Sequence, residues 1–139
     1  MEITANALQT VSTNGNVLFT ETAVKGNCAI FHREGSGLTT LRGLTNQCRA
    51  RFRVSFGANV ALPAGATLEP IQLAISISGE PIPTTTMIST PTAVEEFNNV
   101  FTSVYIDVPA CCCYQITVQN IGETSIDVEN ANLLVERVA

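Results

Sequence analysis

Apolar and polar residues alternate with period two along most of the chain. In the run "IQLAISIS" (71–78) Ile71, Leu73, Ile75 and Ile77 share one face, and Gln72, Ala74, Ser76 and Ser78 share the other. That is the pattern of a half-buried strand. In "RARFRVSF" (49–56) Arg49, Arg51 and Arg53 alternate with Ala50, Phe52 and Val54. In "FTSVYIDV" (101–108) Thr102, Val104, Ile106 and Val108 face away from Phe101, Ser103, Tyr105 and Asp107. The same reading predicts strands over 16–20 ("NVLFT"), 28–33, 38–42, 113–120, 125–129 and 131–138 ("ANLLVERV"). Turn chemistry separates the runs, with "NGN" at 14–16, "EGSG" at 34–37, "LPAGA" at 62–66 and "NIGE" at 120–123. No stretch carries a helical stripe, and "TAVEEF" (92–97) would form a single turn at most.

Many short strands divided by Gly and Pro turns predict an all-β chain, an antiparallel jelly-roll sandwich of about ten strands. Residues 1–15 are expected to form an N-terminal segment or arm, and 16–139 a single domain. The Pro- and Thr-rich stretch 80–93 suits an edge strand or an exposed loop, because proline removes a ladder hydrogen bond. The last strand is apolar on both sides, with Leu133 and Val135 on one face and Leu134 and Val138 on the other. Such a strand needs a second covering surface, either a local cover or a neighbouring subunit.

Composition sharpens this picture. Of 139 residues 45% are hydrophobic and only 14% charged, so a monomer would expose much uncharged surface, which points to self-association. A formal net charge of −5 argues against nucleic acid, whose phosphates need clustered Lys and Arg. The N-terminal "MEITANALQT" has the pattern of no secretory signal, and no run approaches the roughly 18–20 apolar residues of a membrane span. Synthesis in a reducing cytoplasm is therefore expected, with five cysteines held as free thiols rather than as a disulfide framework.

The strand order, the run "HREGSGLTTLRG" leading into "RFRVSFGANVALP", the Pro-rich middle and the closing "NANLLVERVA" resemble small phage and prophage proteins of Gram-positive bacteria. Those in turn resemble the trimeric jelly rolls of the tumour-necrosis-factor and complement globular-head superfamily. The resemblance spans about residues 16 to 139. It implies two sheets, with the sheet that holds both terminal strands packed about a threefold axis, and it places "NVLFT" and "ANLLVERV" in that inner sheet. It also implies a virion component, such as a head decoration or fibre-tip protein. No catalytic signature accompanies it.

The reactive side chains fit this non-enzymatic reading. If 111–118 is a strand, Cys112 joins Tyr114, Ile116 and Val118 on an apolar face, while Cys111 and Cys113 point the other way. Three consecutive strand residues diverge and do not converge on a metal, and His32 is the single imidazole. A catalytic thiol lacks a partner base. The cysteines are thus expected as buried or interface thiols, with Cys111 or Cys113 close to symmetry mates if their strand lies in the inner sheet; Cys28 and Cys48 stay unplaced and reduced. The ladder Arg49, Arg51 and Arg53 suits anions or glycans, but twelve acids against seven bases favour partners on a neighbouring strand or subunit. His32 reads as a structural hydrogen bonder, and "GSG" as a tight connection rather than a phosphate loop. Glu95, Glu96, Asn98 and Asn99 read as a solvated loop rather than a calcium site.

No cofactor, metal, catalytic residue, nucleic acid or membrane is therefore assigned. The expected partners are further copies of the chain in a homotrimer, capsid or other virion proteins, and a host-surface glycan. Leu18, Arg49, Arg51, Arg53, Cys111, Cys113, Leu134 and Val138 are the expected trimer-interface residues. The expected partner-contact loops are Glu34, Gly35 and Ser36, Thr84 and Thr85, and Glu95 and Glu96. The alternative to a virion role is an adhesion module that recognises a glycan or protein through these loops.

Overall fold

The computed structural model describes residues 1–44 and 46–139. Among the described residues twelve strands form two antiparallel sheets packed face to face. In chain order they are β1 (Glu2–Ala5), β2 (Gln9–Val11), β3 (Glu21–Val24), β4 (Ile30–His32), β5 (Thr39–Arg42), β6 (Arg49–Ala61), β7 (Ile71–Ile77), β8 (Glu80–Pro81), β9 (Met87–Ser89), β10 (Asn98–Pro109), β11 (Cys113–Asn120) and β12 (Ile126–Arg137). One sheet runs β10-β6-β12-β1-β3, with β2 also on β12; the other runs β4-β5-β11-β7-β8, with β9 also on β7. The fold is a jelly-roll sandwich, and both terminal strands share the first sheet.

The alternation seen in the sequence becomes burial. Ala50, Phe52, Val54, Phe56, Ala58 and Val60 of β6 are all buried against the other sheet, where Leu41, Leu73, Ile75, Ile116 and Val118 meet them in one core. Phe19 and Phe56 pack edge to face with centroids 6.2 Å apart, a favoured aromatic geometry. Fully burying each such side chain contributes about 1.5–3 kcal/mol. The Pro-rich stretch supplies the short edge elements β8 and β9 with a 3₁₀ turn (Pro83–Thr85) between them.

Several expectations change. Within the N-terminal segment 1–15, β1 pairs with β12 and β3, and β2 pairs with β12. The run 16–20 is not a strand of the terminal-strand sheet. It bridges Asn16 to Gln119 of β11, and Val17 N donates to Val118 O at 2.9 Å. Its side chains Val17 and Phe19 are buried as the alternation required, while β1 takes the sheet position. The runs 125–129 and 131–138 are one strand interrupted by a bulge between Glu129 and Asn132, with Asn130 at φ 55°. The extra residue explains why buried positions shift from Ile126 and Val128 to Ala131, Leu133 and Val135.

Candidate functional site

The outer face of the terminal-strand sheet arrays apolar and charged side chains in register. Its strands bring residues together in rows, since directly opposed residues of an antiparallel pair share a face. One row is Phe101, Gly57, Asn132, Thr4 and Glu21; the next is Ser103, Ser55, Leu134, Glu2 and Val24; then come Tyr105, Arg53 and Glu136, and finally Asp107 and Arg51. Phe101 is 65% exposed, Tyr105 61%, Val24 56% and Leu134 44%. A shallow groove of about 480 Å³ runs between Phe101, Val24 and Leu134, with Arg53 also in its wall. On its floor the hydroxyls of Ser55 and Ser103 hydrogen-bond at 2.9 Å. Gly57 has no side chain, and the Phe101 ring lies across it, 3.6 Å from where a Cβ would stand.

The arginine ladder lies at one end of this face and is neutralised within the chain. Arg51 donates from Nε and Nη2 to the two carboxylate oxygens of Asp107 at 2.8 and 3.1 Å, and Arg49 Nε lies 3.2 Å from the same carboxylate. Arg53 pairs with Glu136. The hydrogen bond from Arg51 pulls the Asp107 carboxyl below its ordinary pKa, slight burial opposes it, and the charges of Arg51 and Arg49 add to the lowering. The same hydrogen bond raises Arg51. The acids therefore come from the neighbouring strands β10 and β12, and no second subunit is required to balance these arginines. At the opposite end of the face an amide ladder crosses the sheet. Asn99 donates to Asn59 at 3.3 Å, Asn59 to Asn130 at 3.1 Å, and Asn130 to Asn6 at 2.6 Å.

Of the expected interface residues, Arg49, Arg51, Arg53, Leu134 and Val138 gather on or beside this face; Val138 is 44% exposed, and its N–H donates to Arg51 O. Leu18 does not, since its segment lies outside the sheet and is held by the Gln9 side chain, which bonds both its N–H and its C=O at 2.9 Å. Cys111 and Cys113 do not either: β11 belongs to the opposite sheet, and Cys111 sits in the turn before it at φ 63°. Cys112 is in that turn too and is exposed, as are all five cysteines; it is no core residue, because the strand pattern ends where the chain turns. Phe101, Tyr105 and Val24 were absent from the expected set. The signal for the first two lay in "FTSVYIDV", whose polar face carries two aromatic rings.

The loops divide similarly. Glu34, Gly35, Thr84 and Glu95 are exposed, and Ser36 is half-buried with its hydroxyl accepting Leu38 N–H. Thr85 is buried, not exposed: its hydroxyl accepts Ile75 N–H at 2.9 Å and donates to Ile82 O at 2.7 Å. Glu96 is turned back on its own loop, accepting from Thr92 N and Oγ1 at 3.3 and 2.8 Å. The His32 ring nitrogens lie 3.0 Å from Leu38 O and 3.2 Å from Phe19 O, a structural role. Among the described residues no group of three or more His, Cys, Asp or Glu is placed to hold a metal ion, and no helix is long and apolar enough to cross a membrane.

No protein-family model matches the chain, and no curated protein matches it. Among solved structures, the globular domain of the zebrafish complement 1qA protein is similar with a TM-score of 0.64 at 10% identity, covering 96% of this chain and 93% of that one. A CBM35 from Cellvibrio japonicus Abf62 aligns over 100% of this chain and 97% of its own, at 6% identity and a TM-score of 0.38. The complement domain likeness establishes the shared jelly-roll fold.

Proposed function

We propose that the chain is a non-enzymatic structural protein, a homotrimeric jelly roll that serves as a phage virion component, either as capsid decoration or as a head-fibre or fibre-tip protein. The observation that carries this reading is the set of exposed apolar side chains, Phe101, Tyr105, Val24 and Leu134, on three neighbouring rows of the sheet that holds both terminal strands. Scattered single apolar residues need no partner, but a contiguous patch on one face does. The likeness to complement and tumour-necrosis-factor heads supports a threefold arrangement of that sheet. Three copies would then cover each other's faces over more than about 1,000 Å², as a specific interface requires. The virion role is supported by the resemblance of "HREGSGLTTLRG" and the closing "NANLLVERVA" to phage proteins. Synthesis in the bacterial cytoplasm and incorporation into the particle follow from the same reading, with capsid or other virion proteins as docking partners.

Size exclusion with light scattering tests the assembly: the expected mass is three times 14.8 kDa, and a single-copy mass overturns it. Mass spectrometry of purified particles tests the location, and absence from them overturns the virion role. A second reading is favoured by the exposed Ile88 and Phe97, which flank the loop carrying Glu95 at one edge of the sandwich. On that reading the loops form an adhesion surface for a glycan or protein, and a reproducible glycan-array signal would support it.

A further inference from the structure

β10 is the outermost strand of the terminal-strand sheet, and among the described residues it pairs with β6 alone. Its 12 residues meet β6 without a register shift. Edge strands are ordinarily kept short, bulged, or guarded by Lys and Pro, because their free N–H and C=O groups template further pairing. β10 carries none of these along its length. Its proline is the final residue, and its single charge, Asp107, is held by Arg51 and Arg49.

The backbone pairing fixes which groups are free. Val138 N donates to Arg51 O at 2.8 Å and Arg51 N to Ala139 O at 3.2 Å, whereas Ala110 N donates to Cys48 O at 3.0 Å. Odd-numbered residues of β6 therefore bond toward β12 and even-numbered ones toward β10, since hydrogen-bonded and non-bonded pairs alternate along an antiparallel ladder. Arg51 stands opposite Asp107, so Asn99, Phe101, Ser103, Tyr105 and Asp107 turn their N–H and C=O groups away from β6. Among the described residues no other backbone group bonds them. Five donors and five acceptors thus line one open edge.

We infer that this edge is an interface between two copies of the chain, in which β10 pairs antiparallel with β10 of the second copy about a two-fold axis at Ser103. The strand is self-complementary in that register. Ser103 faces its mate, Phe101 of one copy faces Tyr105 of the other, and Asn99 faces Asp107, each pair exchanging two hydrogen bonds. Every free donor and acceptor is then used, in about ten bonds, the number a typical specific interface carries. On the outer side the rings of Phe101 and Tyr105 meet as cross-strand pairs. On the core side Val100 meets Ile106, and the half-buried Thr102 and Val104 meet each other. No like charges are opposed. Moving the axis to Thr102 leaves Asp107 opposite a residue outside the strand. Moving it to Val104 sets Pro109, which has no N–H, against Asn99. The contact is two-fold and separate from the threefold face: it joins a copy of one trimer to a copy of another, and it stands or falls without the trimer.

Amide exchange on the full chain, read residue by residue by nuclear magnetic resonance at low and high concentration, tests the pairing. The amides of Phe101, Ser103, Tyr105 and Asp107 should slow about ten-fold once about nine in ten edges are paired. Those of Val100, Thr102, Val104, Ile106 and Val108, already bonded to β6, should not change. Ser103→Pro removes the central N–H without touching a β6 bond, which an edge strand tolerates. It should abolish the pairwise doubling of mass seen by sedimentation on concentration, and Ser103→Ala, which keeps the N–H, should retain it. Odd-numbered amides that exchange alike at both concentrations, or a doubling that survives Ser103→Pro, would overturn the pairing. So would edge amides open in the concentrated chain but protected in purified particles, which would give the edge to another virion protein. A stable trimer with open edge amides also sinks it and leaves the trimer standing, whereas protected edge amides in a two-copy species support it without a trimer.

Discussion

Phe101→Ala is the sharpest perturbation of the proposed assembly, because the ring is large, exposed and off the core. An aromatic side chain offers about 150–250 Å² for burial, and Phe101 is 65% exposed, so roughly 130 Å² is available to a partner at about 25 cal/mol per Å². Alanine keeps roughly 30 Å² of that area, so truncation would remove about 2.5 kcal/mol per copy, or about 7.5 kcal/mol per trimer, if the whole ring is covered on association. That raises the cubic dissociation constant by about five decades. The midpoint concentration varies as its square root, so it should rise by two to three orders of magnitude. A dilution series followed by sedimentation velocity or light scattering reads this shift directly. The monomer should keep its fold, since the lost contact is the ring lying across Gly57, and surface changes of this kind usually cost little. The reasoning fails if the midpoint moves less than three-fold, or if the unaltered protein stays at 14.8 kDa at about 100 μM, a concentration well above the Kd of a specific interface.

Three further changes probe the fold that presents this face. Asn120 is fully buried and donates to Val11 O at 3.1 Å and Thr124 O at 2.9 Å while accepting Gly122 N–H at 3.0 Å; Asn120→Ala should cost about 2–4 kcal/mol, seen as a lower denaturant midpoint with an unchanged m-value. Asp107 has its carboxyl pKa lowered below 3.8, so its stabilising contribution is complete above about pH 4 and is lost as pH falls through its folded value. Asp107→Asn should therefore lower Tm only above that range, converge with the unaltered protein in stronger acid, and differ less at high salt. Cys111 occupies a left-handed turn position; in reductant Cys111→Gly should stabilise the chain by about 1 kcal/mol, and a loss of stability would contradict the turn assignment.

Period-two alternation reports which side chains are buried, and it was reliable wherever the structure asked only that. β6 could be read residue by residue because every second side chain enters one core, whereas in β7 Ala74 and Ser76 on the face read as polar are fully buried too. The run 16–20 shows what alternation leaves out. Val17 and Phe19 are buried, as in a strand, but the backbone bonds to β11 and to the turn after β4 and reaches the terminal-strand sheet at its last residue alone, where Thr20 N donates to Thr4 O at 3.0 Å, and no side-chain pattern encodes that choice. In β12 the bulge at Asn130 shifts the alternation by one, so a continuous strand reads as two. Extending the β11 pattern back through Cys112 failed for a related reason: the turn before Cys113 reorients the chain, and a residue past the ladder's end has no face to inherit. Thr85 misled because a hydroxyl in a Thr-rich loop looks solvent-bound, whereas here it substitutes for the missing ladder partner of Ile75 N–H.

The outer face was legible in its charges and not in its rings. Arg49, Arg51 and Arg53 announce a polar strand face, and their acids followed from composition and strand pairing. Phe101 and Tyr105 occupy that same outward side of β10, where a solitary domain would gain solubility from polar groups. They lie next to the arginine–acid pairs rather than inside the core, so their exposure cannot be assigned to incomplete packing between the two sheets. A surface that pairs its arginines with acids of its own and leaves its aromatic rings bare carries a smaller electrostatic penalty when it is covered, because those ions enter the contact already paired. That arrangement suits a contact between like copies, in which each face meets the same charges it carries. Unpaired arginines would repel their counterparts there.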